Sequence, residues 1–280
     1  MRYTSLLVAL DGAPGCDGRV ALAARLAAAH GSHLVGMAPA RLGALSSTLG
    51  GAGGGLDAAE AARHWALRQA TGWLDRFGAL CRAHQVQSVE AEVHEGDPAT
   101  AVLHRAKCVD LTIVGQAEPS ATDVRQADRF VEQILLHSAR PTLVVPATGA
   151  FEGVGRTVLV AWDDSHGAAR AVADALPALA LAAEVHLRSW RQPGHPLETL
   201  LHERLDALQA YLRRHGIASD AEVHVAATGT GEAILREAGE LGADLIVMGT
   251  YGHSAWTERL LGGATRTVLQ RSPLPLLMSR

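Results

Sequence analysis

The chain has 280 residues, 48% of them hydrophobic and 19% charged, and carries a net charge of -4. That length suits two domains of ordinary size, and that much apolar material excludes a disordered chain. The absence of a basic block argues against a nucleic-acid surface, and no apolar run approaches the ~20 residues of a membrane span.

The first predicted element is Thr4–Leu10, T-S-L-L-V-A-L, a short apolar strand that runs into Asp11-Gly12. It is too short for a signal-peptide core. An Ala-rich helix follows, with Val20, Ala23, Ala24 and Ala27 on one face. A second strand is expected near 33–38. The glycines around Gly50 to Gly55 then mark a loop, because glycine loses much backbone entropy on ordering and offers nothing to pack. A long helix is predicted over Asp57–His84, with Trp73, Leu74, Phe77, Leu80 and Cys81 on one side. Further strands are expected near 89–94, 111–115 and 142–145.

The same plan then restarts. Thr157–Trp162, T-V-L-V-A-W, is followed by Asp163-Asp164-Ser165 and by a helix carrying Ala168, Ala171, Val172, Ala175 and Leu179. Strands are expected near 184–190, 221–226, 244–249 and 274–278, with a helix over Leu197–His215. Asp110-Leu-Thr-Ile-Val-Gly115 aligns with Asp244-Leu-Ile-Val-Met-Gly249, and Pro141 with Pro275, both at an offset of 134 residues. At the first strand the offset is 152, from Asp11 to Asp163, so the first half carries the extra residues. This internal repeat predicts two domains, 1–148 and 154–280, joined by the Gly- and Pro-bearing segment 146–156. Each half alternates strand and helix, which implies a parallel sheet covered on both faces.

The three cysteines, Cys16, Cys81 and Cys108, show no C-x-x-C spacing and are odd in number. They are expected as buried or half-buried thiols in a reducing cytoplasm, without disulfides or zinc. The 14 histidines form no metal-binding spacing. Trp65, Trp73, Trp162 and Trp256 read as core or interface residues.

Open parallel sheets bind ligands beyond the carboxyl ends of their strands. The loops after the first and fourth strands of the second half are Asp163-Asp164-Ser165 and Gly249-Thr-Tyr-Gly252-His-Ser. The second continues to Gly262-Gly263-Ala264-Thr265. Glycines let a backbone approach a phosphate, and a helix starting after Gly262 would aim its positive end at the same anion. In the first half the matching positions are Gly115, Glu118, Asp128 and Arg129. Acidic side chains there would repel phosphates, so that site is expected to be lost.

The spacing G249-x2-G252-x9-G262-G263 resembles the G-x2-G-x9-G-(S/T) motif of the universal stress protein family, and the chain resembles the tandem form of that family over essentially its whole length. The resemblance implies two Rossmann-like domains, each a five-stranded parallel sheet of order 3-2-1-4-5 with helices on both faces, packed as a pseudo-dimer through antiparallel fifth strands. It implies an adenine-nucleotide site, for ATP or a relative, with Mg2+ on the phosphates. Asp163 and Trp190 would meet adenine. Gly249, Gly252, Gly262, Gly263 and Thr265 would meet the phosphates, with Ala161, Met248 and Ala264 completing the set. The departure is Gly263, where the family has a hydroxyl. A lost hydrogen bond to a charged group costs about 1.5–3 kcal/mol. The function so implied is a cytoplasmic nucleotide-sensing regulator of the stress response, acting on an unidentified protein partner and extending to a homodimer. It is expected not to be an enzyme, with at most slow incidental ATP hydrolysis: neither a P-loop nor a G-x-S-x-G elbow is present. The alternative is a stress scaffold with a vestigial pocket.

Overall fold

The structure is a computed structural model that describes residues 1–40, 56–117, 124–191, 198–226, 229–250 and 263–280. By spatial contact the chain divides into two compact units, Tyr3–Gly115 and a second made of Met1–Arg2 with Gln116–Arg280. The repeat boundary read from sequence follows homology between halves. The contact boundary falls earlier and assigns the last strand of the first repeat to the second unit.

In the first unit, β1 (Ser5–Ala9), α1 (Cys16–His30), β2 (His33–Ala40), α2 (Leu56–Ala83), β3 (Ser88–Glu95), α3 (Pro98–Ala106) and β4 (Leu111–Gly115) follow one another. The strands lie in the order β3-β2-β1-β4, and every pairing described is parallel. β1 is central, and its Leu6, Leu7 and Val8 are fully buried. That burial on both faces is why it reads as a continuous apolar run rather than an alternating one. α2 covers β2 closely: a Cβ on Gly36 would lie 2.7 Å from the Phe77 ring. Phe77 and Cys81 are buried as predicted, while Trp73, Leu74 and Leu80 are half-buried. One expectation fails here. Cys108 is exposed, because it lies in the turn after α3 rather than on a packed face. Trp65 is 49% exposed, so of the core and interface readings the core one does not hold; the buried stripe of α2 runs through Ala62, Ala66 and Ala70 instead.

The second unit contains α4 (Val124–His137), β5 (Thr142–Val145), β6 (Thr157–Ala161), α5 (His166–Leu179), β7 (Glu184–Arg191), α6 (Glu198–Arg214), β8 (Asp220–Val225), α7 (Thr230–Glu240), β9 (Leu245–Gly249), α8 (Gly263–Arg271) and β10 (Leu276–Ser279). Its strands run β5-β10-β9-β6-β7-β8. All neighbours are parallel except β5 and β10, which pair antiparallel through Val144 with Leu276, Leu143 with Leu277 and Thr142 with Met278. The expected antiparallel pairing of the two fifth strands is therefore present.

The repeat extends to the fastening of the strands. The Asp110 carboxylate accepts hydrogen bonds from the Thr4 amide at 2.7 Å, the Thr4 hydroxyl at 2.6 Å and the Ser5 amide at 3.0 Å. Asp244, 134 residues later, accepts from the amides of Gly155, Arg156 and Thr157 at 2.9, 3.0 and 3.2 Å. In both halves the residue before the fourth strand ties down the start of the first. These bonds satisfy amides that precede the sheet ladder and would otherwise lack a partner. Asp244→Ala is expected to destabilise the protein by about 2 kcal/mol, and Asp110→Ala by a similar amount. Urea unfolding of both variants measures this; a loss below ~0.5 kcal/mol in both would contradict the role.

Candidate nucleotide site

A cavity of about 140 Å³ opens at the carboxyl ends of β6, β7 and β9. Ala161, Trp162 and Asp163 line it from the end of β6, Trp190 from β7, and Met248 and Gly249 from β9. The first turn of α8 contributes Gly263, Ala264 and Thr265. Eight of the ten residues singled out from sequence are thus brought together. Gly252 and Gly262, with His253, Ser254 and Trp256, lie outside the described residues.

Sequence reasoning missed three lining residues: Trp162, Thr230 and Ile234. Thr230 opens α7 after Gly229, which has φ 105°. Only the run Gly229-Thr-Gly231 ahead of a helical pattern hinted at this. Gly231 is a packing glycine. An added Cβ would lie 2.7 Å from Thr267 Cβ and 3.0 Å from the Ala264 carbonyl. Arg271 and Glu232 also form an ion pair between α8 and α7. The Gly231 contact sets the first turn of α7 against the start of α8, and the ion pair ties the end of α8 to α7.

The loop after β6 is ordered by its own side chains. The Ser165 amide donates to Asp163 Oδ1 at 3.1 Å, and Ser165 Oγ accepts from the Ala168 amide at 3.1 Å, capping α5. Asp164 sits at φ 60°, and its carboxylate pairs with Arg204. Asp163 is therefore a turn residue and a lining residue at once.

Gly249 has a role that the motif alone did not reveal. An added Cβ there would lie 2.6 Å from the Ala168 amide nitrogen and 2.7 Å from the Gly167 carbonyl carbon. The end of β9 lies directly against the first turn of α5, and only glycine permits that approach. Gly263 differs: among the described residues, an added Cβ would meet nothing within 4 Å. Thr265 is buried at 4% exposure.

Behind β7 lies a buried ion network. Arg188, 3% exposed, pairs with Asp220 at 2.5 Å and Glu237 at 3.0 Å. Asp220 also contacts His186 Nδ1 at 2.6 Å. Partial burial opposes the Asp220 charge, but the hydrogen bond and charge of Arg188, with help from His186, outweigh it and lower its pKa from the ordinary 3.8. Trp190, two residues beyond Arg188, packs its ring 6.3 Å from the His224 ring at a tilt of 34°.

The corresponding place in the first unit is built differently. Asp11 makes the same turn, accepting from the Ala13 amide at 3.0 Å. Its other oxygen, however, binds the Arg19 guanidinium at 2.9 Å, and Arg19 Nε donates to the Ala9 carbonyl at 3.1 Å. Arg19 is 3% exposed and fills the space beside Gly115, where an added Cβ would lie 2.0 Å from its Nη1. Burial opposes the Arg19 charge, yet Asp11 and Cys16 raise its pKa all the same. Of the acidic positions expected to spoil this site, Glu118 lies outside the described residues, and beside Gly115 the space is occupied by a tethered guanidinium. The repeat partner of Arg19 is Ala171, and the neighbour beside Gly249 is instead the backbone of Gly167 and Ala168.

Residues 155–280 match the universal stress protein family, Usp. The C-terminal half is a universal stress protein domain. A universal stress protein from Archaeoglobus fulgidus DSM 4304 is similar in structure over 99% of this chain and 98% of its own, at 17% identity and a TM-score of 0.77. A putative universal stress protein from Pseudomonas aeruginosa UCBPP-PA14 covers 98% of this chain and 92% of its own, at 19% identity and a TM-score of 0.61. A functionally unknown protein from Pseudomonas aeruginosa PAO1 is similar over 98% of this chain and 92% of its own, with 18% identity and a TM-score of 0.60. At these identities the likeness establishes the fold: a tandem α/β arrangement over the whole length. No curated protein matches the chain by sequence. Among the described residues, no helix is long and apolar enough to cross a membrane, and no three His, Cys, Asp or Glu side chains cluster as metal ligands.

Gly249→Ala forces a backbone collision and is expected to destabilise the domain by about 1–3 kcal/mol, whereas Gly263→Ala is expected to change stability by less than ~0.5 kcal/mol. Thermal denaturation of the pair tests this contrast. The Asp220 contribution has a defined pH window. Because its folded pKa is lowered, its stabilisation is present above the unfolded value of 3.8 and is lost as pH falls through the folded pKa. The difference in urea midpoint between wild type and Asp220→Asn should be larger at pH 7 than at pH 3.

Proposed function

We propose that the C-terminal domain binds an adenine nucleotide, ATP or a close relative, and that the protein works as a nucleotide-responsive regulator of the stress response rather than as an enzyme. The observation that carries the reading is the cavity itself. Family-motif residues from three strand ends and one helix start, distant in sequence, line a single cavity.

The chemistry of the lining suits the parts of such a ligand. Trp162, Trp190, Ile234 and Met248 offer apolar and aromatic surface to a base. Asp163 is a hydrogen-bond acceptor for an exocyclic amine or ribose hydroxyl. The first turn of α8, with its free-ended amides and positive dipole end, suits phosphate oxygens. Mg2+ would enter with the phosphates, since Asp163 is the one carboxylate among the described lining residues. When bound, the ion supplies charge neutralisation; the chain itself supplies backbone donors and the Thr230 and Thr265 hydroxyls. Occupancy would bias the segment between Gly249 and Gly263 toward one arrangement and so alter a surface read by a protein partner. Such a role belongs in the cytoplasm, and the free thiols of Cys16, Cys81 and Cys108 suit a reducing compartment.

One observation favours a second reading, a protein-interaction scaffold with a vestigial pocket. The 140 Å³ cavity is smaller than the ~300–1,000 Å³ of a usual small-molecule site. It accepts a ring system, and the rest of a nucleotide would extend across α8.

Titration calorimetry with ATP-Mg at millimolar concentration decides between the two. Binding is expected, weakened roughly tenfold or more in Asp163→Ala. Gly263→Ser restores the hydroxyl at a position with room for it, and should tighten binding by about tenfold. No heat with wild type, or indifference to both substitutions, favours the scaffold.

A further inference from the structure

We infer that the second unit carries a separate anion site, for small phosphate-bearing polyanions, in a cleft between the C-terminal end of α4, the exposed face of α5 and the end of β10. The cleft has a volume of about 460 Å³ and shares no lining residue with the cavity at β6 and β9. Its charged and polar lining side chains are Arg140, Arg170, Arg280, His137, Asp174 and Ser279. Three of these side chains are guanidiniums and one is a carboxylate.

The geometry holds these groups in place. Arg280 Nη1 donates to the Leu136 carbonyl at 2.7 Å, which pins the last arginine to the end of α4. Ser138 Oγ donates to the Arg140 carbonyl at 2.7 Å and accepts from the Arg140 amide at 3.2 Å, forming the turn that presents Arg140. Asp174 is 15% exposed and accepts from Arg170 Nε and from Ser279 Oγ, both at 2.9 Å. That contact uses one of the five donors of Arg170. Asp174 thus orients Arg170 without neutralising the group as a whole.

The cluster is not a by-product of the repeated fold. The helix offset of 152 is supported by burial, since Val20, Ala23 and Ala27 match Val172, Ala175 and Leu179, all buried. At the repeat offsets, Arg170 and Asp174 match Gly18 and Leu22, Arg140 matches Leu274, and Ser279 and Arg280 match Val145 and Pro146. Five positions that are charged or polar here are apolar or glycine in the other half, and the chain as a whole is acidic.

The ligand class follows from charge and size. A single exposed ion pair is worth little, so a monovalent ion gains little from any one of these arginines. Guanidiniums pair with phosphate through two parallel hydrogen bonds, and several acting on one ligand add up. The volume lies in the range of small-molecule sites, larger than one inorganic phosphate requires. A ligand with two or more phosphates engages the arginines together.

Tripolyphosphate is the probe, titrated into the full chain by calorimetry at about 50 mM salt, where screening is modest. Wild type is expected to bind it, and Arg140→Gln/Arg170→Gln to lose at least tenfold in affinity. Asp174→Asn, which removes the competing carboxylate, should gain severalfold; a merely structural role for Asp174 would not produce a gain. Neither variant should change binding of a fluorescent ATP analogue, and circular dichroism should confirm that both fold. Several results would overturn the inference: no tripolyphosphate binding to wild type, equal binding by the double variant, citrate binding as tightly as tripolyphosphate, or displacement of the fluorescent ATP by tripolyphosphate with no dependence on the arginines. The last of these would leave the nucleotide reading intact, and loss of ATP-analogue binding alone would leave this one intact.

Discussion

The close approach of Gly249 to the first turn of α5 governs the geometry of the cavity. A side chain there would intrude on the backbone of Gly167 and Ala168. Because it has none, the ends of β6 and β9 sit side by side, and the Thr250 amide donates to the Ser279 carbonyl at 2.9 Å at the far edge. The loops that leave those two strands then open on the same space. Gly249, read from the sequence as a phosphate contact, is first a condition for the packing of β9 on α5.

A second constraint works at the opposite ends of the strands. Asp110 and Asp244 each collect amides from the start of the neighbouring first strand. A short parallel strand has few ladder bonds, so fastening one end fixes the register of the other. The carboxyl ends, where the cavity opens, inherit that register. The buried Arg188, Asp220 and Glu237 network adds the same kind of fixation to β7, two residues before Trp190.

The two halves show how one plan can lead to opposite chemistry. Both keep an aspartate turn after the first strand and a glycine at the end of the fourth. In the first unit Arg19 enters the space between them, bonded to Asp11 and the Ala9 carbonyl, and the Trp73 indole lies 3.2 Å from where a Gly12 side chain would begin. A buried guanidinium is tolerated there because a carboxylate pairs with it. In the second half Ala171 takes the place of Arg19, and the backbone of Gly167 and Ala168 lies against Gly249 instead.

Much of this was legible in the chain itself. The repeat at offset 134, the alternation of apolar runs with helical patterns and the glycine spacing together determined a tandem α/β protein, placed its strands to within a few residues, and picked out most of the cavity lining. These are local or periodic signals, and they survive without coordinates because sheet strands and helices impose their own spacing. Three things were decided only in three dimensions. Thr230 and Ile234 reach the cavity because α7 packs on α8, which no spacing encodes. Arg19 lies beside Gly115 because the packing of α1 turns it inward, which no spacing encodes. The arginines of the α4, α5 and β10 cleft lie up to 140 residues apart in the chain, and only the packing of those elements around the antiparallel pair of β5 and β10 makes neighbours of them.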